Sequence, residues 1–76
     1  MQLVELKKGN EAKIIKINAE SALRDRLNSM GVMKGEQLTV RGCSLAKQTI
    51  EIEIEGTLIA LRAEEAKKIE VEKIQR

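Results

Sequence analysis

The chain contains no histidine, phenylalanine, tyrosine, tryptophan or proline, and only one cysteine. Without His it lacks the usual general base and the commonest transition-metal ligand. One Cys makes neither an intramolecular disulfide nor a thiolate metal cage. Without aromatic rings there is no stacking platform for single-stranded nucleic acid and no ring-lined groove for proline-rich peptides. Neither sign of charge dominates, since 14 Lys and Arg face 12 Asp and Glu for a net charge of +2, which does not by itself call for a polyanion or a membrane surface. The longest unbroken apolar run, residues 58–61, is far short of the roughly 20 residues that span a bilayer. Residues 1–10 lack the apolar core of a secretion signal. The expected compartment is therefore the cytoplasm, with which a lone thiol agrees.

What remains is a chain of 76 residues, 42% hydrophobic and 34% charged, enough for one small soluble domain with a single core. Gly9, Gly31, Gly35, Gly42 and Gly56 punctuate it as turn positions do. A short apolar segment, residues 3–6, leads through the turn-like Lys7-Lys8-Gly9-Asn10 into residues 12–17, whose Ala12, Ile14, Ile15 and Ile17 suggest a strand. The period then changes. Leu23, Leu27 and Met30 recur at i, i+4 and i+7, which predicts a short helix over residues 21–30 with this stripe in the core. Ser21 is the expected N-cap, and Gly31 the left-handed residue beyond the C-terminus. Arg24 and Arg26 fall on the two flanks of the stripe.

A half-buried strand is expected over residues 37–41, and a polar loop carrying Cys43 and Leu45 follows. Residues 49–55 alternate most cleanly: Ile50, Ile52 and Ile54 on one face, Glu51, Glu53 and Glu55 on the other. That pattern belongs to an antiparallel sheet with one dry and one wet side. Glu55-Gly56 is short enough to turn a hairpin into residues 57–62, where Leu58, Ile59, Ala60 and Leu61 read as a strand buried on both sides. Residues 63–68 favour a helical turn, and Ile69 and Val71 begin a last strand. Five short strands and one helix predict a mainly β fold, a small, strongly bent sheet closed into a barrel. The helix sits between the first two long strands.

The punctuation Leu6 and Gly9, Arg26-Leu27, Met30-Gly31-Val32 with Gly35, then Gly56, Ile59-Ala60-Leu61-Arg62, Ala66, Ile69 and Val71 resembles the FeoA family along nearly the whole chain. The resemblance implies an SH3-like five-stranded barrel. It also implies a small cytosolic accessory of bacterial ferrous-iron uptake that acts without catalysis by binding or regulating the FeoB permease, a GTPase-linked transporter. The partner it implies is the permease's cytosolic region, and it places the chain at the membrane only through that permease. The loop Ser44-Leu45-Ala46-Lys47-Gln48 departs from the Gly-Asp-Pro turn often found there. The same domain occurs fused to DNA-binding metal-dependent repressors, whereas 76 residues leave no room for a helix-turn-helix unit.

Four residues are candidate partner contacts. Arg26 and Arg62 match family positions and can equally cover sheet edges while pairing locally with Asp25, Glu64 or Glu65. Met33 and Leu45 fall in connections, where an apolar side chain is available to a partner. Glu51, Glu53 and Glu55, with Glu70 and Glu72 as candidate neighbours, are the carboxylates that could take ferrous iron. Same-face residues of one strand lie roughly 7 Å apart, poor spacing for chelation, and imidazole and thiolate partners are missing. The row therefore reads as a solvated face, with no cofactor expected. Cys43 lacks a base or a resolving thiol, so it reads as a free thiol, and no catalytic residues are expected. The competing reading is a small β-barrel that binds nucleic acid or serves as another protein-interaction module. The Glu face and the absence of aromatics argue against nucleic acid, and a second copy of the chain is a further candidate partner.

Overall fold

The computed structural model describes residues 1–44, 46 and 48–75. Its most regularly alternating strand, β3 (Thr49–Ile54), buries Ile50, Ile52 and Ile54 and turns Glu51 and Glu53 outward. β2 (Gln37–Cys43) and β4 (Thr57–Arg62) pair with it on either side, both antiparallel. β1 (Glu11–Ile17) and β5 (Ile69–Ile74) complete one five-stranded sheet in the order β4-β3-β2-β1-β5. The sheet's two edges are not hydrogen-bonded to each other among the described residues, so the bent sheet stays open between β4 and β5. The β5 edge is covered by the N-terminus: Val71 N–H donates to the Met1 carbonyl at 2.7 Å, and Gln2 bridges to Glu70.

The hairpin from β3 to β4 turns on Glu55 and Gly56, whose φ values of 49° and 81° are both in the left-handed region. A primed two-residue turn needs that sign at both positions and matches the twist of the flanking strands. Two expectations on this hairpin are corrected. Glu55 belongs to the turn rather than to the outward row of β3, because the strand ends at Ile54. β4 is buried on one face only: Ile59 and Leu61 are inside, but Leu58 is 62% exposed and Ala60 is exposed too. It is an edge strand that borders only β3.

Every buried side chain among the described residues is aliphatic. Without rings, the core is filled by aliphatic side chains from both ends of the chain, and a β-bulge in β1 adjusts their phase. In β1 the register against β5 shifts between Ile14 and Lys16, so Ile14 and Ile17 both point inward while Ile15 and Lys16 both point out. A bulge lets one strand change faces in this way. A second register shift, between Val40 and Gly42, interrupts the pairing of β2 with β3.

α1 (Ser21–Ser29) lies between β1 and β2 in the chain. Its N-cap is Glu20, in extended geometry, and the expected cap Ser21 is the first helical residue. Its C-terminus is a Schellman turn: Gly31 (φ 97°) donates to the Asn28 carbonyl at 3.0 Å, and Val32 N–H reaches back to the Leu27 carbonyl at 2.9 Å. This motif satisfies carbonyls that the helix end would leave orphaned, and it usually brings the residue after the turn against the last core turn. Leu27 and Val32 are accordingly both fully buried in one cluster. The apolar stripe was expected to end at Met30, but Met30 remains 38% exposed. The reversal at Gly31 carries Val32, not Met30, into the core.

α2 (Ala63–Ala66) is a single turn that buries Ala66 and is held by Glu65. One carboxylate oxygen of Glu65 accepts the Arg62 N–H at 2.9 Å, and the other is ion-paired with the Arg26 guanidinium of α1. One side chain thus caps α2 and ties it to α1.

Two stability measurements test these readings, both by denaturant titration followed by circular dichroism, since no ring provides fluorescence. Gly31→Ala should cost about 1 kcal/mol from the left-handed backbone alone, because an added Cβ at Gly31 meets nothing within 4 Å; an unchanged midpoint would refute the Schellman account. Glu65→Ala should cost about 1–2 kcal/mol and Glu65→Gln roughly half of that, since Gln keeps a cap acceptor and loses only a solvent-screened ion pair. Equal losses for the two variants would mean that the cap contributes nothing.

Candidate functional site

α1 turns its Leu23 and Leu27 side toward the core and presents one basic residue on each flank, as its spacing predicts. The structure builds a shallow surface depression beside each flank.

On one flank, Arg26 and Met30, one helical turn apart, meet Ala60 and Arg62 on the outer face of β4 and Glu64 and Glu65 at the start of α2. Together they line an open depression of about 490 Å³. Arg26 and Arg62, far apart in the sequence, are therefore brought together. The charges here are mixed: Arg26 is paired with Glu65, while Arg62 makes no ion pair among the described residues. The exposed Leu58 continues the outer face of β4 two positions along.

On the other flank, Met33 lies apart from these residues, in a depression of about 440 Å³ shared with Lys16, Ile17, Arg24, Asn28 and Lys34. Met33 is 43% exposed, in keeping with its place in a connection. The fourth candidate contact, Leu45, lies outside the described residues.

The carboxylates do not form one constellation. Glu51 and Glu53 share the outward face of β3, Glu55 is in the turn, and Glu53 is paired with Arg41 through a 2.8 Å contact to Nε. Glu70 and Glu72 belong to β5, separated from β3 by two intervening strands. Among the described residues, no group of three or more His, Cys, Asp or Glu side chains is placed to hold a metal ion. Cys43 is a free, exposed thiol at the end of β2, beside Gly42, Ser44, Thr49, Glu51 and Ala60.

The sequence reading missed Met30 and Leu58 as surface residues and missed the cluster of Lys16, Arg24 and Lys34. Arg24 and Asn28 carry a one-turn spacing, but Lys16 and Lys34 sit on other elements, and no local pattern joins them. Among the described residues no helix is long and apolar enough to cross a membrane.

The family model of the FeoA domain matches residues 1–73. A Campylobacter jejuni protein provisionally named Fe(2+) transport protein A is 42% identical over 71 residues, which cover 93% of this chain and 96% of that protein. A Porphyromonas gingivalis protein named as a fusion of Fe(2+) transport protein A with the Fe(2+) transporter FeoB is 35% identical over 74 residues, 97% of this chain and 9% of that protein. The solution structure of the FeoA protein from Chlorobium tepidum superimposes with a TM-score of 0.87 at 37% identity, covering 93% of this chain and 68% of that one. The SH3-like arrangement of five antiparallel strands and a short helix, expected from the motif positions, is the fold that these proteins share. Near-full-length agreement in sequence and in fold establishes that the chain belongs to the FeoA family.

Proposed function

We propose that this chain is a small cytosolic accessory of bacterial ferrous-iron uptake that acts without catalysis, by binding the cytosolic region of a FeoB-type permease and regulating it. The observation that carries this reading is the Porphyromonas gingivalis fusion, in which a region 35% identical to this chain shares one polypeptide with the transporter. A tether holds two modules together at an effective concentration of about the millimolar range. Docking beyond such a tether needs a binding surface, and the exposed Met30, Met33 and Leu58, set among charged residues, supply the materials for one.

The chemistry of the chain supports a non-enzymatic role. It has no His, and its single Cys is an exposed residue at a strand end, so no nucleophile sits beside an imidazole base. Under this reading iron is the cargo of the permease, and the domain itself need not hold it. The outward Glu pair of β3 offers hard oxygen donors without convergence, and Glu53 is already engaged by Arg41.

A heteronuclear NMR titration of the labelled domain tests the reading in two arms. With the purified cytosolic region of the permease, in nucleotide-free, GDP-bound and GTP-analogue-bound forms, saturable shifts confined to the flanks of α1 are expected. No response in any nucleotide state would sink the proposal. With ferrous iron under anaerobic conditions, only diffuse, non-saturating shifts are expected at Glu51 and Glu53. A tight, saturable iron site there would instead make the domain a direct receptor for the metal.

A further inference from the structure

The two flanks of α1 differ in their electrostatics. Beside Arg26, the cations Arg26 and Arg62 face Glu64 and Glu65, and the charges largely answer one another. Beside Arg24, the lining residues are Lys16, Arg24, Lys34, Asn28, Ile17 and Met33, three cations with no acid among them. In a chain with a net charge of only +2, this is a local concentration of one sign. None of the three cations makes an ion pair among the described residues. Arg24 has one long hydrogen bond, 3.4 Å to the Ala19 carbonyl. The acid nearest by register is Glu70, opposite Lys16 in the β1–β5 ladder, and it does not line the depression.

The scaffold under these side chains is fixed by the backbone. Gly35 N–H donates to the Ile14 carbonyl at 2.8 Å, and Ile14 N–H donates to the Glu36 carbonyl at 2.9 Å, so the connection carrying Met33 and Lys34 is laced to β1. The β1 bulge turns Lys16 outward, and the Schellman turn sets where Met33 leaves α1. Three unpaired cations held around an exposed thioether form a surface prepared for an anionic partner with an apolar element.

We propose that this depression docks an acidic protein segment, seating an aliphatic side chain against Met33 and its carboxylates on Lys16, Arg24 and Lys34. The inference rests on the adaptor reading above, under which the segment belongs to the permease's cytosolic region. A protein segment suits the site better than nucleic acid or free phosphate. The floor is apolar, no aromatic side chain is available to stack a base, and the donors are long side chains rather than the converging backbone N–H groups that cradle a phosphate. Rim charges of this kind act largely through the rate of encounter, so the affinity should fall with salt.

The test is calorimetry of the full chain against the purified cytosolic region of the permease at about 0.15 M and 0.5 M salt, a range over which exposed charges become strongly screened. Wild type should bind and weaken with salt. Arg24→Glu combined with Lys34→Glu should weaken binding on the order of tenfold, Met33→Ala should weaken it a few fold, and Lys67→Glu, away from the depression, should leave it unchanged. The charge-conserving pair Arg24→Lys with Lys34→Arg should retain binding, and circular dichroism verifies the fold of every variant. Wild-type binding that the double reversal leaves intact would overturn this site while the adaptor reading stands. Failure of wild type to bind in any nucleotide state would remove both. If inorganic phosphate or a short oligonucleotide moves the Lys16, Arg24 and Lys34 amides at lower concentration than the permease region does, the ligand is a phosphate and the proposal is wrong.

Discussion

The exposed surface of this domain is organised around α1, and the end of α1 is fixed by how its last carbonyls are satisfied. A helix of nine residues gains too little from its own hydrogen bonds to persist alone, so it depends on packing Leu27 into the core and on a defined stop. The Schellman turn at Gly31 provides both. It closes the helix with hydrogen bonds to Asn28 and Leu27 and delivers Val32 into the same cluster as Leu27. It also leaves Met30 and Met33 at the surface on either side of the reversal.

An aromatic-free core imposes a second constraint. Large rings often tolerate a regular sheet because each covers much area, whereas Ile, Leu and Val must be brought close from several directions to reach interior packing density. The β1 bulge is one means: it shifts the inward phase of that strand by one residue so that both Ile14 and Ile17 contribute. The consequence reaches the surface, because the bulge that lets β1 bury both Ile14 and Ile17 also places Ile15 and Lys16 side by side on the outside. A packing solution thus supplies one wall of the basic depression.

Legibility in the sequence follows the range of the interaction. β3 could be read from Ile50, Ile52 and Ile54 because a period of two is local, and α1 could be read from Leu23, Leu27 and the Gly31 stop for the same reason. The both-sided burial expected for β4 was wrong because Leu58 and Ala60 are apolar for their own strand, while their cover depends on a neighbour that an edge lacks. The cap expected at Ser21 lies one residue earlier, because the extended backbone that defines the cap position falls at Glu20 and Ser21 is already helical. Arg26 and Arg62 could be singled out from the family pattern, but that Glu65 joins Arg26 to the N–H of Arg62 is a tertiary fact without local signature. Lys16, Arg24 and Lys34 were illegible for a similar reason: each looks like an ordinary solvated cation until a bulge, a helix flank and a turn set them around one hollow.

Net charge is for the same reason an incomplete guide to partners. A balance of 14 cations and 12 anions says that the average field far from the molecule is weak, since screening sums the charges over roughly a Debye length. It says nothing about fields within a few ångströms of a particular hollow, where unpaired side chains on one flank are not cancelled by acids on another. In this domain no acid lines that hollow: Glu64 and Glu65 lie beside Arg26, Glu51 and Glu53 on the outer face of β3, and Glu70, though opposite Lys16 in the β1–β5 ladder, stays outside the lining. The hollow therefore holds a local excess of cations that the composition averages away. A near-neutral domain of this kind can remain indifferent to bulk polyanions and still discriminate between partners through a local pattern of charge.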